Sequence, residues 1–187
     1  YAQAYEAEKR RCGALDFEDL IDKALRLTAE RDDAAWVLFK LDGGIDHILV
    51  DEAQDTAPEQ WEIVRALTEE FFSGAGAPTV RERLERNMFV VGDEKQSIYS
   101  FQGARPELLI QEFEFHKDRA TGAGFRFERV DLLTSWRSTP QVLRFVDAAF
   151  APAELAGAVL PRVPHEPIIH PAMRTDHGCA DLWPLQR

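Results

Sequence analysis

The stretch His47–Thr56 reads HILVDEAQDT and decides the fold that we expect for this chain. Its unbroken apolar run, residues 48–50, is typical of a short strand buried on both faces of a parallel sheet. Asp51 and Glu52 follow at once, at the carboxyl end of the strand, where open α/β sheets bind their ligands. The stretch therefore predicts an α/β fold, with a parallel sheet flanked by helices and a functional edge at this acidic pair.

The two adjacent carboxylates suit two different tasks. One can hold a Mg²⁺ ion through oxygen or water ligands, and the next can polarise a water for attack on phosphorus. The alternative is that the pair only ends a strand and begins a turn, since charged pairs are commonest on solvated surfaces. Thr56 and Glu59 fit a helix capping box after a short turn. The order of strand, acidic pair, turn and capped helix is a Walker B layout.

The amino-acid composition restricts which binding partners and which cellular compartment we expect for this chain. The 187 residues carry a formal net charge of -11, the wrong sign for general attraction to nucleic acid, so any DNA contact must be local. The two cysteines form no CxxC pair, which predicts neither a zinc site nor a disulfide framework. No secretory signal and no membrane-spanning apolar run occurs, and we expect a cytoplasmic protein without membrane contact.

The ends of the sequence suggest a fragment. The first residue is Tyr1, and no GxxxxGK[ST] loop occurs in the sequence. If the acidic pair belongs to a nucleotide hydrolase, its phosphate loop is expected to lie outside this chain. The isolated fragment is then expected to be inactive.

Periodicity and capping signals predict the remaining elements. Asp16 is a predicted N-cap, Gly43–Gly44 a predicted helix end, and residues 73–78 a surface linker. Residues 151–187 are expected to form a Pro-rich connector and a terminal strand. The predicted helices cover residues 1–11, 16–26, 33–41, 59–72, 106–117 and 139–150, and the further predicted strands cover 88–91 and 130–133.

A second polar cluster, VVGDEKQSIYSFQG at residues 90–103, follows the strand predicted at 88–91. Gln96 is an uncharged amide just past the strand end, where such a group can contact a terminal phosphate. Tyr99 and Phe101 lie two residues apart and would point to the same side of an extended loop, where they could receive stacked bases. The alternative is that both aromatic residues belong to the core.

A third cluster, TSWRS at residues 134–138, follows the strand predicted at 130–133. Arg137 offers a planar fork suited to phosphate oxygens and could serve as an arginine finger. Trp136 offers a flat face to a base. The alternative is a surface ion pair beside a buried tryptophan.

The order and wording of these clusters resemble the UvrD/Rep family of superfamily one DNA helicases. VDEAQDT at 50–56 is similar to the second helicase motif of that family, GDEKQSIYSFQGA at 92–104 to the third, and LLTSWRS at 132–138 to the fourth. LDFEDLI at 15–21 resembles a stretch that precedes the acidic strand. The resemblance implies a partial RecA-like P-loop NTPase fold.

Within that family, SIYSFQGA, the Ser-Trp-Arg-Ser variant and the closing DLWPL resemble AddA-type helicase-nuclease proteins. This likeness implies ATP and Mg²⁺ as cofactors, single-stranded and duplex DNA as substrates, and an AddB-like partner. It also implies a role in double-strand-break repair and recombination.

The resemblance implies a role for each matching residue. Asp51 would bind Mg²⁺ and Glu52 would activate the attacking water. Gln96 and Arg137 would contact the γ-phosphate. Trp136 would stack near the adenine, and Tyr99 and Phe101 on bases of the tracked strand. Two departures from the family stand out, because Gln102 replaces an arginine of many relatives and Trp136 replaces a tyrosine.

The resemblance also implies a division of the chain. Residues 1–13 would end an inserted helical subdomain, 14–125 would form the carboxyl half of the first motor domain, and 126–150 would begin the second. The rival interpretations are a helicase-fold scaffold without catalysis and a non-helicase NTPase built on the same core.

Overall fold

A computed structural model describes residues 1–30, 34–42, 45–72, 86–159 and 169–184. The predicted helix end at Gly43–Gly44 and the linker at 73–78 lie outside these residues. The chain forms two compact units, Tyr1–Phe127 and Glu128–Arg187. No described helix combines the length and the apolarity that crossing a membrane requires.

The first unit contains five α-helices and two strands in its described residues, and a π-helix (Arg26–Glu30) continues from the second α-helix. Helix α4 contacts α2, α3 and α5, and its Trp61 is only 1% exposed, so the core of this unit lies around α4. The elements are α1 (Ala2–Cys12), α2 (Phe17–Leu25), α3 (Ala34–Asp42), β1 (His47–Val50), α4 (Pro58–Phe72), β2 (Asn87–Val90) and α5 (Glu107–Gly122).

The start of α2 confirms the predicted N-cap. Asp16 accepts a hydrogen bond from the backbone of Asp19, and the Asp19 side chain accepts one from the backbone of Asp16. Lys9 of α1 donates to both carboxylates, at 2.7 and 2.8 Å. The Lys9 ammonium and the Asp19 backbone N–H lower the pKa of Asp16 to about 2. This cluster fastens α1 to the first turn of α2.

Strands β1 and β2 pair in parallel, as expected for strands of a parallel sheet, with Ile48 opposite Met88 and Val50 opposite Val90. The prediction that the first strand is buried on both faces is wrong. Leu49 and Phe89 are 72% and 59% exposed, whereas the alternate residue Ile48 is half-buried. That alternation is the pattern of a sheet covered on one face only.

Helix α4 begins without the predicted capping box. Thr56 ends the preceding short helical turn, and α4 starts at Pro58. The Gln60 side chain accepts a hydrogen bond from the Ala57 backbone at 2.9 Å. An amide from inside the helix therefore satisfies one of the free N–H groups at its start, which is the part that the predicted box gave to Glu59.

An ion pair connects helices α4 and α5. Arg65 donates two hydrogen bonds to Glu112, at 2.9 and 2.6 Å, and Glu112 is only 3% exposed. His116 lies one turn further along α5 and is 6% exposed. Burial, followed by the positive charges of Arg65 and Arg119, lowers the pKa of His116 to about 4.

Acid should destabilise the first unit through His116. Its pKa falls from 6.5 in the unfolded chain to about 4 in the folded chain, so between these values the unfolded state binds more protons. The contribution of His116 to the free energy of unfolding is then fully present above pH 6.5. It is lost as the pH falls toward 4, by up to about 3 kcal/mol. Chemical unfolding at pH 7 and pH 5 should show a smaller acid loss for His116→Phe than for the unmodified chain.

The exposed His47 provides the control for this measurement, and His47→Phe should leave the acid loss unchanged. Equal acid losses in His116→Phe and the unmodified chain would contradict a role for His116 in acid sensitivity.

The second unit contains α6 (Pro140–Phe150) and α7 (Ala153–Val159). Thr139 stands at the N-cap of α6 with Pro140 at the first position, as predicted, although Thr139 makes no side-chain capping bond. The predicted strand at 130–133 is wrong, because these residues have no regular structure and Leu132 is 80% exposed. The described part of the predicted terminal strand, residues 180–184, is also irregular.

Residues 169–178 pack against the segment that carries Arg137. Ser135 forms a parallel bridge with Ala172, with hydrogen bonds from Ser135 to Pro171 (2.8 Å) and from Met173 to Ser135 (2.9 Å). A Cβ on Gly178 would overlap the Thr139 side chain. The segment predicted as a connector therefore contributes to the packing of this unit.

Candidate nucleotide and nucleic-acid site

The acidic pair lies beyond the last residues of β1, where the strand ladder is interrupted. The Val91 backbone donates to the Val50 carbonyl (2.8 Å), and the Ala53 backbone donates to the Val91 carbonyl (2.9 Å). Asp51 and Glu52 stand between these two hydrogen bonds, and both are exposed. The sheet thus holds the backbone on either side of the pair and leaves both carboxylates accessible.

Glu52 adopts a left-handed backbone conformation, with φ 49° and ψ 43°. It is the only non-glycine residue with a positive φ in the part of the chain that the structure describes. Such a conformation costs roughly 1–3 kcal/mol and persists only where the surroundings enforce it. Two hydrogen bonds do so here, from the Glu52 backbone to Asp51 Oδ1 (2.9 Å) and from the Asp55 backbone to the Glu52 carbonyl (2.8 Å).

The neighbouring Gln54 is 1% exposed and was not predicted as a site residue. Its Nε2 donates to Glu52 Oε2 at 2.7 Å, and its Oε1 accepts from the Asp93 backbone at 2.9 Å. The only sequence signal for this role is weak, a polar uncharged residue among the small and acidic ones after a strand. Gln54 connects the residues that follow β1 with those that follow β2.

Gln96 lies in the segment after β2, within a short helical turn at Glu94–Gln96. Its amide donates to Asp93 Oδ2 at 3.0 Å. Burial raises the pKa of Asp93, but hydrogen bonds from Lys95 and Gln96 outweigh it and hold the pKa below its usual value. The structure therefore brings Gln96 and Glu52 into one hydrogen-bonded network, in which Asp93 and Gln54 are the intermediate members.

Tyr99 and Phe101 lie next to each other, but not in the extended loop that was predicted. A second helical turn, Ser100–Gln102, places the two ring centroids 6.0 Å apart with an interplanar angle of 44°. Tyr99 is 41% exposed and Phe101 is 78% exposed. Neither ring is part of a buried core, and this aromatic pair remains within reach of a ligand.

Asp55 connects residues 97–102, which we call the aromatic turn, to the segment that carries Asp51 and Glu52. One of its oxygens accepts from the Ser97 hydroxyl (3.1 Å) and from the Ile98 backbone (3.3 Å). In the sequence, Asp55 is recognisable only as a residue of the turn after the acidic pair. Its position explains why the aromatic turn keeps a defined place next to the acidic edge.

Trp136 and Arg137 belong to the second unit. Trp136 is 72% exposed, and the Arg137 side chain is exposed as well. The Arg137 carbonyl accepts a hydrogen bond from the Arg174 guanidinium at 3.2 Å, and the Ser138 backbone donates to the Ser135 hydroxyl. Among the described residues, no carboxylate forms an ion pair with the Arg137 guanidinium.

Comparison with known proteins gives a consistent result. Residues 1–117 match the model of the UvrD/REP helicase N-terminal domain. Among curated proteins, the A subunit of an ATP-dependent helicase/nuclease from Listeria monocytogenes serotype 4b (strain F2365) is 34% identical over 143 residues, which are 76% of this chain and 10% of that protein.

Two further relatives carry the same name. The protein of Desulfitobacterium hafniense (strain DSM 10664 / DCB-2) is 31% identical over 84% of this chain and 11% of its own length. The protein of Staphylococcus carnosus (strain TM300) is 34% identical over 78% of this chain and 11% of its own length. The chain spans about a tenth of the length of the curated relatives that it matches. With a domain model covering more than half of its residues and relatives above 30% identity, the chain belongs to the UvrD/REP helicase family.

Proposed function

We propose that this chain is part of an ATP-dependent DNA helicase, in which the first unit carries the hydrolytic carboxylates and a single-strand stacking site. One observation carries the proposal. At the carboxyl ends of two parallel strands, one network connects Glu52 to Gln96, Asp51 accepts from the Glu52 backbone, and the exposed pair of Tyr99 and Phe101 follows directly. ATP hydrolysis and base stacking would then take place at the same edge of the sheet, beyond the carboxyl ends of β1 and β2.

The donor set at this edge fits a magnesium ion that arrives with a nucleotide. Among the described residues, no cluster of three or more His, Cys, Asp or Glu side chains could hold a metal by itself. Mg²⁺ is normally bound by one or two carboxylates together with substrate phosphates. Asp51, with Oδ1 engaged by the Glu52 backbone, would supply one such carboxylate.

The other residues would act on the phosphates. Bound Mg·ATP would supply the phosphoanhydride bond that is hydrolysed. Glu52 would accept the proton of the attacking water, and Gln96 would contact the γ-phosphate. Arg137 would stabilise charge on the γ-phosphate, and the Trp136 ring would stack near the adenine.

This proposal extends to the arrangement of the parent protein. Residues 14–125 would be the carboxyl half of a first RecA-like motor domain, and 126–150 the start of a second. The relatives are named as parts of a helicase/nuclease, and we propose the same setting here, with single-stranded and duplex DNA as substrates and an AddB-like partner. A phosphate loop outside these 187 residues would complete the site, so the isolated chain should not hydrolyse ATP.

The stacking site is tested by Phe101→Ala in the full-length protein. Stacking of a base on an aromatic side chain contributes about 1–3 kcal/mol, so single-strand affinity should fall by roughly 10- to 100-fold at fixed salt. Because Phe101 is 78% exposed, the thermal midpoint should change little. Fluorescence anisotropy with a labelled oligonucleotide gives the affinity, and thermal unfolding gives the midpoint.

Phe17→Ala is the matched control, because Phe17 is similarly exposed (84%) but lies on α2. It should leave DNA affinity unchanged. A Phe101→Ala protein with a strongly reduced midpoint and unchanged affinity would show that Phe101 is a packing residue, since truncating a buried Phe costs about 3–5 kcal/mol.

A further inference from the structure

Gln54 is the most enclosed polar side chain at the edge of the sheet. It is 1% exposed, and its amide makes three polar contacts. Nε2 donates to Glu52 Oε2 (2.7 Å) and to Asp55 Oδ2 (3.4 Å), and Oε1 accepts from the Asp93 backbone (2.9 Å). A buried amide with contacts on both of its ends has one preferred orientation, because turning it over would place donors against donors.

The contact with Glu52 fixes the carboxylate that the proposed function needs. The Glu52 backbone is held in the left-handed region, and its side chain is exposed. An exposed carboxylate on a long side chain would otherwise sample several rotamers. The 2.7 Å hydrogen bond from a buried donor to Oε2 restricts the rotamers of the Glu52 side chain.

The contact with Asp93 carries the network to the segment after β2. Asp93 donates its backbone N–H to Gln54 and accepts from the Gln96 amide at 3.0 Å. Space around the Gln54 amide is closed, because a Cβ added at Gly92 would lie 3.0 Å from Gln54 Oε1 and 3.1 Å from Ala53 Cβ. A shift of the segment that carries Gln96 would therefore disturb the packing and the hydrogen bond of the Gln54 amide.

We propose that Gln54 is a positioning residue that couples Glu52 to Gln96, so that the hydrolytic carboxylate and the phosphate-contacting amide move together. The proposal rests on the proposed function, since it assumes that these two side chains act on ATP. Asp55, which Gln54 also contacts, extends the same network to the aromatic turn through Ser97 and Ile98. The network thus connects the residues proposed to act on ATP with the segment that carries the proposed base-stacking residues, Tyr99 and Phe101.

Gln54→Met in the full-length protein tests the proposal, because methionine keeps the length and volume but makes no comparable hydrogen bonds. We expect kcat for ATP at saturating single-stranded DNA to fall by about 10- to 100-fold, as for losing a hydrogen bond to a charged group. The KM for ATP should change little, because Gln54 is buried and would not contact the substrate directly.

Gln60→Met is the matched control. Gln60 also makes a side-chain hydrogen bond to the backbone in this segment, at the start of α4, but its partner there is Ala57 and not a member of the network. Its kcat should stay within about twofold of the unmodified protein. If Gln54→Met does not fold, Gly92→Ala replaces it, since the new Cβ presses on the same amide and no positive φ stands against alanine there.

A double variant separates coupling from general damage. If Gln54 couples Glu52 to Gln96, Gln54→Met combined with Gln96→Ala should lower kcat by at least about threefold less than the product of the two single losses. Independent structural damage would multiply the two losses. Normal turnover of Gln54→Met, or a multiplicative loss in the double variant, would overturn the coupling role.

Failure of the proposed function and failure of the positioning role give different results. If the unmodified full-length protein shows no DNA-stimulated hydrolysis, or if Glu52→Gln hydrolyses ATP normally, the proposed function itself is wrong. If these two behave as expected and only the Gln54 variants do not, the positioning role alone is wrong.

Discussion

Glu52→Gln in the full-length protein should abolish most ATP hydrolysis and leave ATP binding intact. Glutamine keeps the shape of glutamate and an oxygen that can still accept from Gln54, but it cannot take the proton of the attacking water. Loss of a general base lowers turnover by about 10²- to 10⁴-fold. Phosphate release at saturating single-stranded DNA measures the turnover, and a fluorescent nucleotide measures the binding.

Glu59→Gln provides a control of the same chemistry nearby. Glu59 is exposed on the first turn of α4, seven positions after Glu52. Its replacement should leave turnover unchanged. Near-normal hydrolysis by Glu52→Gln would remove the role assigned to Glu52 and would favour the scaffold interpretation, in which the fold is kept for protein contacts.

Arg137→Ala should reduce turnover by about 10³-fold or more if the guanidinium stabilises the charge that develops on the γ-phosphate. The Arg137 side chain is exposed, and its backbone is held by Arg174 and by the bridge between Ser135 and Ala172. Removing the guanidinium should therefore cost little stability. Steady-state hydrolysis and thermal unfolding of the same preparation measure both quantities.

Arg137→Lys and Arg144→Ala complete that experiment. Lysine keeps the charge without the planar fork, so it should restore only part of the lost turnover. Arg144 is an exposed arginine on α6, and its removal should have no effect on turnover. Equal turnover in Arg137→Ala and Arg144→Ala would show that Arg137 is an ordinary surface residue.

The sequence predicted β1 and β2 as strands of a parallel sheet because both segments have apolar runs that end in small or acidic residues. It could not predict which face of the two-stranded sheet is buried, since burial depends on which helices pack against each face. The predicted strand at 130–133 failed for a related reason. An apolar run indicates that a segment can form a strand, but only a neighbouring strand supplies the hydrogen bonds.

The structure places some residues of the candidate site where the sequence suggested and reveals one that the sequence did not. The structure brings Glu52 and Gln96 into one network because each follows a strand of the parallel pair. Gln54 escaped prediction, because its role depends on an Asp93 backbone group 39 residues away in the chain. Contacts between segments so distant in sequence leave no local pattern of hydrophobicity or spacing, and only the folded chain reveals them.

The left-handed backbone at Glu52 has a consequence for engineering. Glycine adopts this conformation without a steric penalty, so the fold alone would favour glycine at position 52. A programme that selects substitutions for thermal stability would therefore rank this position among the first to change and would remove the carboxylate that we propose as the general base. The substitution that would relieve the backbone strain at position 52 is therefore one that would abolish the proposed activity. The energy of that strain is the stability that the chain gives up to keep a glutamate there.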